Sequence, residues 1–193
     1  MSHDYDVIVP ESRWPSAKAF QTALDADGGT VKLQGINDWD KPIPVNWEPE
    51  FPVTLNGEPV GFEVYVYQIL TRTDGERTGK SELIESMDEH GMDSSLVVDG
   101  SYVFSVALRH GDDEWESARQ LMSALTRHFD GYGFEFQAGT FGGADWAKSL
   151  GETLDAGKQE YDRIVQEMAA RPANNPQSVN SDSFWSRLTG FFK

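Results

Sequence analysis

Two hydrophobic periods run through this chain, and both are clearest between Leu96 and Gly139. Tyr102-Val103-Phe104-Ser105-Val106-Ala107-Leu108 is rich in β-branched and aromatic residues and predicts a strand. Asp112-Asp113-Glu114 predicts a helix start, and Trp115, Ala118, Leu121, Met122, Leu125 and Phe129 continue it at helical spacing. Phe134-Glu135-Phe136 then alternates as a strand. The same order is predicted near the start. Val7-Ile8-Val9, ended by Pro10, reads as a buried strand. Ser12 or Arg13 precedes a helix with Pro15 in its first turn, and Trp14, Ala17, Phe20, Ala23 and Leu24 recur on one side. Asp27-Gly28-Gly29 ends it, and Thr30 to Leu33 alternates as a strand.

The two helices share a pattern. Trp14 to Leu24 and Trp115 to Leu125 both read W-x-S-A-[K/R]-x-[F/L]-x-x-A-L without a gap. Matching residues on matching elements predict a duplicated β-α-β unit. The fold class expected is α+β, a duplicated ferredoxin-like arrangement forming an antiparallel or mixed sheet with two covering helices. Trp14 and Trp115 should anchor those helices to the sheet.

Between the copies, Asn56-Gly57 marks a hairpin joining Pro52–Leu55 to a long strand from Val60 to Ile69. Bulky residues on both faces of that strand predict a central position. Ser81 to Glu89 predicts a short helix with Leu83, Ile84 and Met87 inward. Asp99-Gly100 predicts a second hairpin joining Leu96-Val97-Val98 to the strand at Tyr102. Gly139 to Gly143 reads as a flexible joint. The domain reading is thus 1–143 as the duplicated domain, 144–170 as a C-terminal helix packed on or beside it, 171–183 as a polar linker, and 184–193 as an amphipathic aromatic tail. In that tail Phe184, Trp185, Leu188, Phe191 and Phe192 form one stripe if helical.

Charge narrows the choice of partner. Thirty-two acids face sixteen bases among 193 residues, a formal net charge of −16. Such a surface repels nucleic-acid phosphates and favours a basic protein. DNA mimicry would need longer acidic runs than the chain contains. With only Arg187 and Lys193 basic in the tail, docking on this or another protein chain ranks ahead of membrane contact. No leader is visible and no apolar run approaches the ~20 residues of a span, so a cytoplasmic location is expected. The absence of cysteine removes thiol chemistry and thiolate metal sites.

Motifs for catalysis are weak. Thr78-Gly79-Lys80-Ser81 ends like a phosphate-binding loop, but the upstream glycine is Gly75 where Asp74 would have to be glycine. His3, His90, His110 and His128 lack metal-ligand spacing, and the acids at Asp112-Asp113 suit a helix N-terminus. No catalytic residue, cofactor or metal is expected.

The segment from Ile36 to Phe51 stands apart, with three prolines, two tryptophans and four acids in a stretch too long for a simple turn. Asp38, Trp39, Asp40, Trp47, Glu48 and Glu50 are the expected partner-binding residues; the competing reading has both tryptophans folding back to cap the core. The Gly-aromatic strand entry Phe129-Asp130-Gly131-Tyr132-Gly133-Phe134, within Tyr102 to Gly139, resembles small acidic bacterial toxin-immunity families and neighbouring uncharacterised ones. The resemblance implies a non-catalytic cytoplasmic protein that neutralises a basic toxin by covering its active site. The alternative is a small-molecule-binding or hydrolytic domain with its site between sheet and C-terminal helix.

Overall fold

The run Val7-Ile8-Val9 lies on the middle strand of a five-stranded antiparallel sheet. In the computed structural model, which describes residues 3–44, 52–61, 63–69, 79–108, 111–136 and 139–150, strand β1 (His3–Val9) is paired on both sides. Along one side runs β6 (Tyr102–Leu108), and along the other β7 (Tyr132–Glu135). Strand β5 (Glu63–Gln68) lies outside β6, and β8 (Thr140–Gly142) outside β7. Contacts divide the chain into two units, Met1–Lys148 and Ser149–Lys193; every element named here belongs to the first.

Register decides what each face buries. Val7 lies opposite Phe104 and Gly133, whereas Ile8 lies opposite Val103 and Tyr132. Residues directly opposite share a face. Tyr5, Val7, Phe104 and Val106 therefore point to one side, and Ile8, Val103 and Phe134 to the other. All seven are buried, so both faces need cover. Helices α1 (Ala17–Ala26) and α3 (Asp112–His128) cover the first face. Phe20 meets Phe104 edge-on at 6.4 Å, Trp115 meets Tyr5 at 5.2 Å, and Trp14 stacks on Tyr102 at 4.7 Å. Helix α2 (Gly79–Glu89) covers part of the second face, where Met87, Leu83 and Ile84 join Met92 and Val97 over Ile8, Val103 and Phe134.

Because β1 and β5 are both antiparallel to β6, they run parallel to each other with β6 between them. Likewise β6 and β7 run parallel, with β1 between. The chain reaches β5 from β1 through α1, and β7 from β6 through α3. A separate three-stranded antiparallel sheet of β2 (Val31–Leu33), β3 (Val53–Leu55) and β4 (Glu58–Val60) is inserted between α1 and β5.

Several expectations are corrected. The strand Thr30–Leu33 does not join the strand at Val7; it belongs to the small sheet. Asn56-Gly57 does make the turn, with φ of 53° and 90°, but the run from Val60 to Ile69 breaks at Gly61. Its first residue ends β4 and Glu63–Gln68 forms β5, which stands at one end of the strand order rather than in the centre. Leu96-Val97-Val98 is not a strand: Ser94–Leu96 is a 3-10 turn started by the Asp93 side chain, which accepts from Ser95 N–H. The first helix begins later than expected. Glu11–Arg13 is a 3-10 turn, Pro15 precedes the helix, and Ser16 is the cap, its Oγ accepting from Ala19 N–H at 3.2 Å.

Gly139 to Gly143 is not a joint but holds β8. Gly133 and Gly142 lie opposite each other across β7 and β8, and the Trp146 indole fills the space their missing side chains leave. A Cβ on Gly133 would stand 1.9 Å from Trp146 Cε3.

Candidate functional site

The residues Asp38-Trp39-Asp40 lie on a turn fastened to the N-terminus of α1. The first N–H groups of a helix have no partner within it. Here Ala17 N–H donates to the Lys41 carbonyl at 3.1 Å and Lys18 N–H to the Trp39 carbonyl at 2.9 Å. Two residues on, Ile43 N–H donates to the Pro15 carbonyl at 3.1 Å, and the Trp14 indole N–H donates to the Ile43 carbonyl at 3.0 Å. The turn also braces itself, with Asp40 N–H donating to the Asp38 carboxylate at 3.2 Å.

Backbone carbonyls of the turn thus take the N–H groups of Ala17 and Lys18, while the Ser16 side chain takes that of Ala19. Trp39 keeps 39% of its surface exposed, so it does not fold into the core; among the described residues of this segment Ile43 does. The flanking acids each meet a lysine, Lys18 on Asp40 at 3.5 Å and Lys41 on Asp38 at 3.4 Å. All four side chains are largely in water, where such pairs add little and are easily exchanged. The turn thus presents an aromatic ring between two carboxylates on a fixed backbone. Trp47, Glu48 and Glu50, together with the tail residues Phe184, Trp185, Leu188, Phe191 and Phe192, lie outside the described residues.

Sequence reasoning missed a second polar feature, an open cleft of about 340 Å³ between α3, the Asp27–Thr30 loop and the β3–β4 turn. Glu116, Arg119, Gln120, Ser123 and Arg127 line its α3 side. Their spacing of three and four residues was the available signal. The groups largely bind one another. Gln120 Oε1 accepts from Thr30 N–H at 2.9 Å and Val31 N–H at 3.1 Å, while its amide donates to Glu116 at 2.8 Å. Glu116 also takes the Arg119 guanidinium, Nε at 2.7 Å. Partial burial pulls the Glu116 pKa up, but hydrogen bonds from Arg119 and Gln120 outweigh it, and the carboxyl ends below its ordinary 4.5. Arg127 donates to the Ala144 carbonyl at 3.2 Å, and Asp27 faces both Arg127 and His128, the latter at 3.0 Å. Leu24 and Leu55 are the apolar lining. Ligand pockets are mainly apolar with a few convergent polar groups; this cleft instead fastens the small sheet to α3.

Other chemistry is accounted for locally. Lys80, the lysine of the phosphate-loop-like run, pairs with Asp99 at 2.7 Å, and Gly79 opens α2; residues 74–78 of that run lie outside the described residues. Asp112, Asp113 and Glu114 occupy the first turn of α3. Tyr5 is buried beside the buried Glu135, and burial first, then that carboxylate, push its hydroxyl pKa well up. Among the described residues no group of three metal-ligating side chains occurs, and no helix is long and apolar enough to cross a membrane. Searched against protein-family models, curated proteins and solved structures, the chain matches none.

Proposed function

We propose that this protein is a non-catalytic binder of a basic protein, of the toxin-immunity type, acting in the cytoplasm. The observation that carries the reading is the turn at Asp38-Trp39-Asp40: an exposed tryptophan between two carboxylates, on a backbone already tied to α1 at 2.9 and 3.1 Å. A fixed backbone lowers the ordering cost of association. Tryptophan provides anchor area of the kind found at hot spots. Carboxylates, on a chain of net charge −16, speed encounter with a cationic surface. Trp47, Glu48 and Glu50 extend the proposed interface.

We also propose that the large sheet is a ferredoxin-like duplication carrying an insertion. The interlocked parallel pairs β1/β5 and β6/β7, each connected through a helix, support it, as does the shared pattern of Trp14–Leu24 and Trp115–Leu125.

The test is capture of a basic protein from the producing cells. Trp39→Ala should weaken capture by roughly thirtyfold, the ~2 kcal/mol of a hot spot. Charge reversal at Asp38 and Asp40 should weaken it most at low salt. Capture at unchanged affinity by both variants would rule this turn out as the interface.

A further inference from the structure

We propose that the open part of the sheet's second face, around Tyr65 and Tyr67 of β5, is a docking surface for an extended arginine-bearing segment of a basic protein. It rests on the reading that the partner is basic, and adds a second surface and the form of the segment that it takes.

Strand β5 alternates sharply. Val64 and Val66 are buried, whereas Tyr65 and Tyr67 keep 43% and 42% of their surface exposed. Register places the tyrosines: Tyr65 lies opposite Ser105, which lies opposite Asp6, and Tyr67 lies opposite Val103, which lies opposite Ile8. Both rings thus stand on the face that α2 covers in part.

The same face is acidic. Asp6, itself buried, shares it; partial burial of the Tyr67 hydroxyl first, then the Asp6 charge, push that hydroxyl up to about 12. Glu63 accepts from the Tyr65 hydroxyl at 3.2 Å. Helix α2, over another part of the same face, exposes Glu82, Glu85, Asp88 and Glu89, and its Lys80 is held by Asp99. Ring faces bordered by carboxylates attract guanidinium groups through both charge and the ring quadrupole. Tyr65 and Tyr67 are two residues apart, about 6.8 Å along the strand, which is also the repeat of side chains on one side of an extended segment. A second copy of this chain is a poor occupant, since it would bring a further net charge of −16 to an acidic face.

The probe is a synthetic peptide of about twelve residues with arginine and threonine alternating. It is titrated into isotope-labelled protein at about 0.15 M salt, where attraction beyond ~8 Å is screened. The expected result is amide shifts centred on Glu63–Gln68. Replacing both tyrosines by alanine should weaken binding about tenfold, while replacing both by phenylalanine keeps it within about threefold. Both side chains are exposed, so an unchanged melting temperature should confirm intact variants. Absent binding, shifts that avoid β5, equal affinity of the alanine variant, or peptide-free dimerisation through β5 would each overturn the inference. Trp39→Ala, run in parallel, separates the two surfaces. If it alone abolishes binding, the turn stands and the β5 surface fails; if the tyrosine variant alone does, the reverse holds.

Discussion

Replacing Gly133 by alanine should eject or displace a tryptophan. Gly133 sits in β7, opposite Val7 on one side and Gly142 on the other. A Cβ there would lie 1.9 Å from Trp146 Cε3, 2.3 Å from Cζ3 and 2.5 Å from Cδ2. Carbon contacts settle near ~3.5–4.0 Å, so the ring must retreat by roughly 1.5–2 Å. An indole is rigid, and this one is 4% exposed, so it cannot bend out of the way. A partial retreat costs about 1–3 kcal/mol of overpacking. Full expulsion exposes about 150–250 Å² of ring, which at ~25 cal/mol per Å² is about 4–6 kcal/mol. The expected loss is therefore roughly 2–5 kcal/mol. Urea unfolding measures it, and a double-mutant cycle identifies its cause. Trp146→Ala alone should cost about 3–5 kcal/mol. In that background Gly133→Ala should cost under about 1 kcal/mol, because the ring it strikes is gone. If it costs as much there as in the native protein, the indole is not what the glycine makes room for.

Gln120→Ala should destabilise by about 1–3 kcal/mol in urea, because it strands the N–H groups of Thr30 and Val31; those two amides should also exchange faster with solvent. Glu116→Gln tests the cleft's charge through pH. The folded carboxyl titrates below its ordinary 4.5, so its contribution is present above that value and is lost as pH falls through the folded one. The gap in stability between native protein and variant should be widest near neutral pH and close below pH 4.5; a gap that stays constant down to acid would contradict the assigned pairing with Arg119.

The elements whose side chains obey a single period were legible from sequence. Helix α3 was placed by its apolar stripe, β1 by the unbroken apolar run Val7-Ile8-Val9, and β6 by its β-branched and aromatic residues. Sheet membership was not legible, because Thr30–Leu33 alternates identically whether it pairs with β1 or with β3. The same limit hid the break at Gly61, since Val60 and Val64 look alike as strand residues yet belong to different sheets. Glycines at 139, 142 and 143 suggested looseness, although one of them makes room for Trp146. At the site, the unusual composition around Trp39 was visible, but its fastening was not. That fastening uses carbonyl groups, which every residue carries and no pattern marks.

The position of β1 has a consequence for how the chain comes to fold. Its two neighbours begin only at Tyr102 and Tyr132. During synthesis at about 5–20 residues per second, roughly 5–20 s separate this strand from its first partner. Throughout that wait Val7-Ile8-Val9 has neither ladder on which to close, and α1 lacks the large sheet that it covers. The long loops between paired strands also predict slow, concerted folding over one made of early local pieces. A ribosome carrying the first hundred residues therefore holds an apolar segment that is still looking for its place, and chaperone engagement at that length is the natural thing to look for.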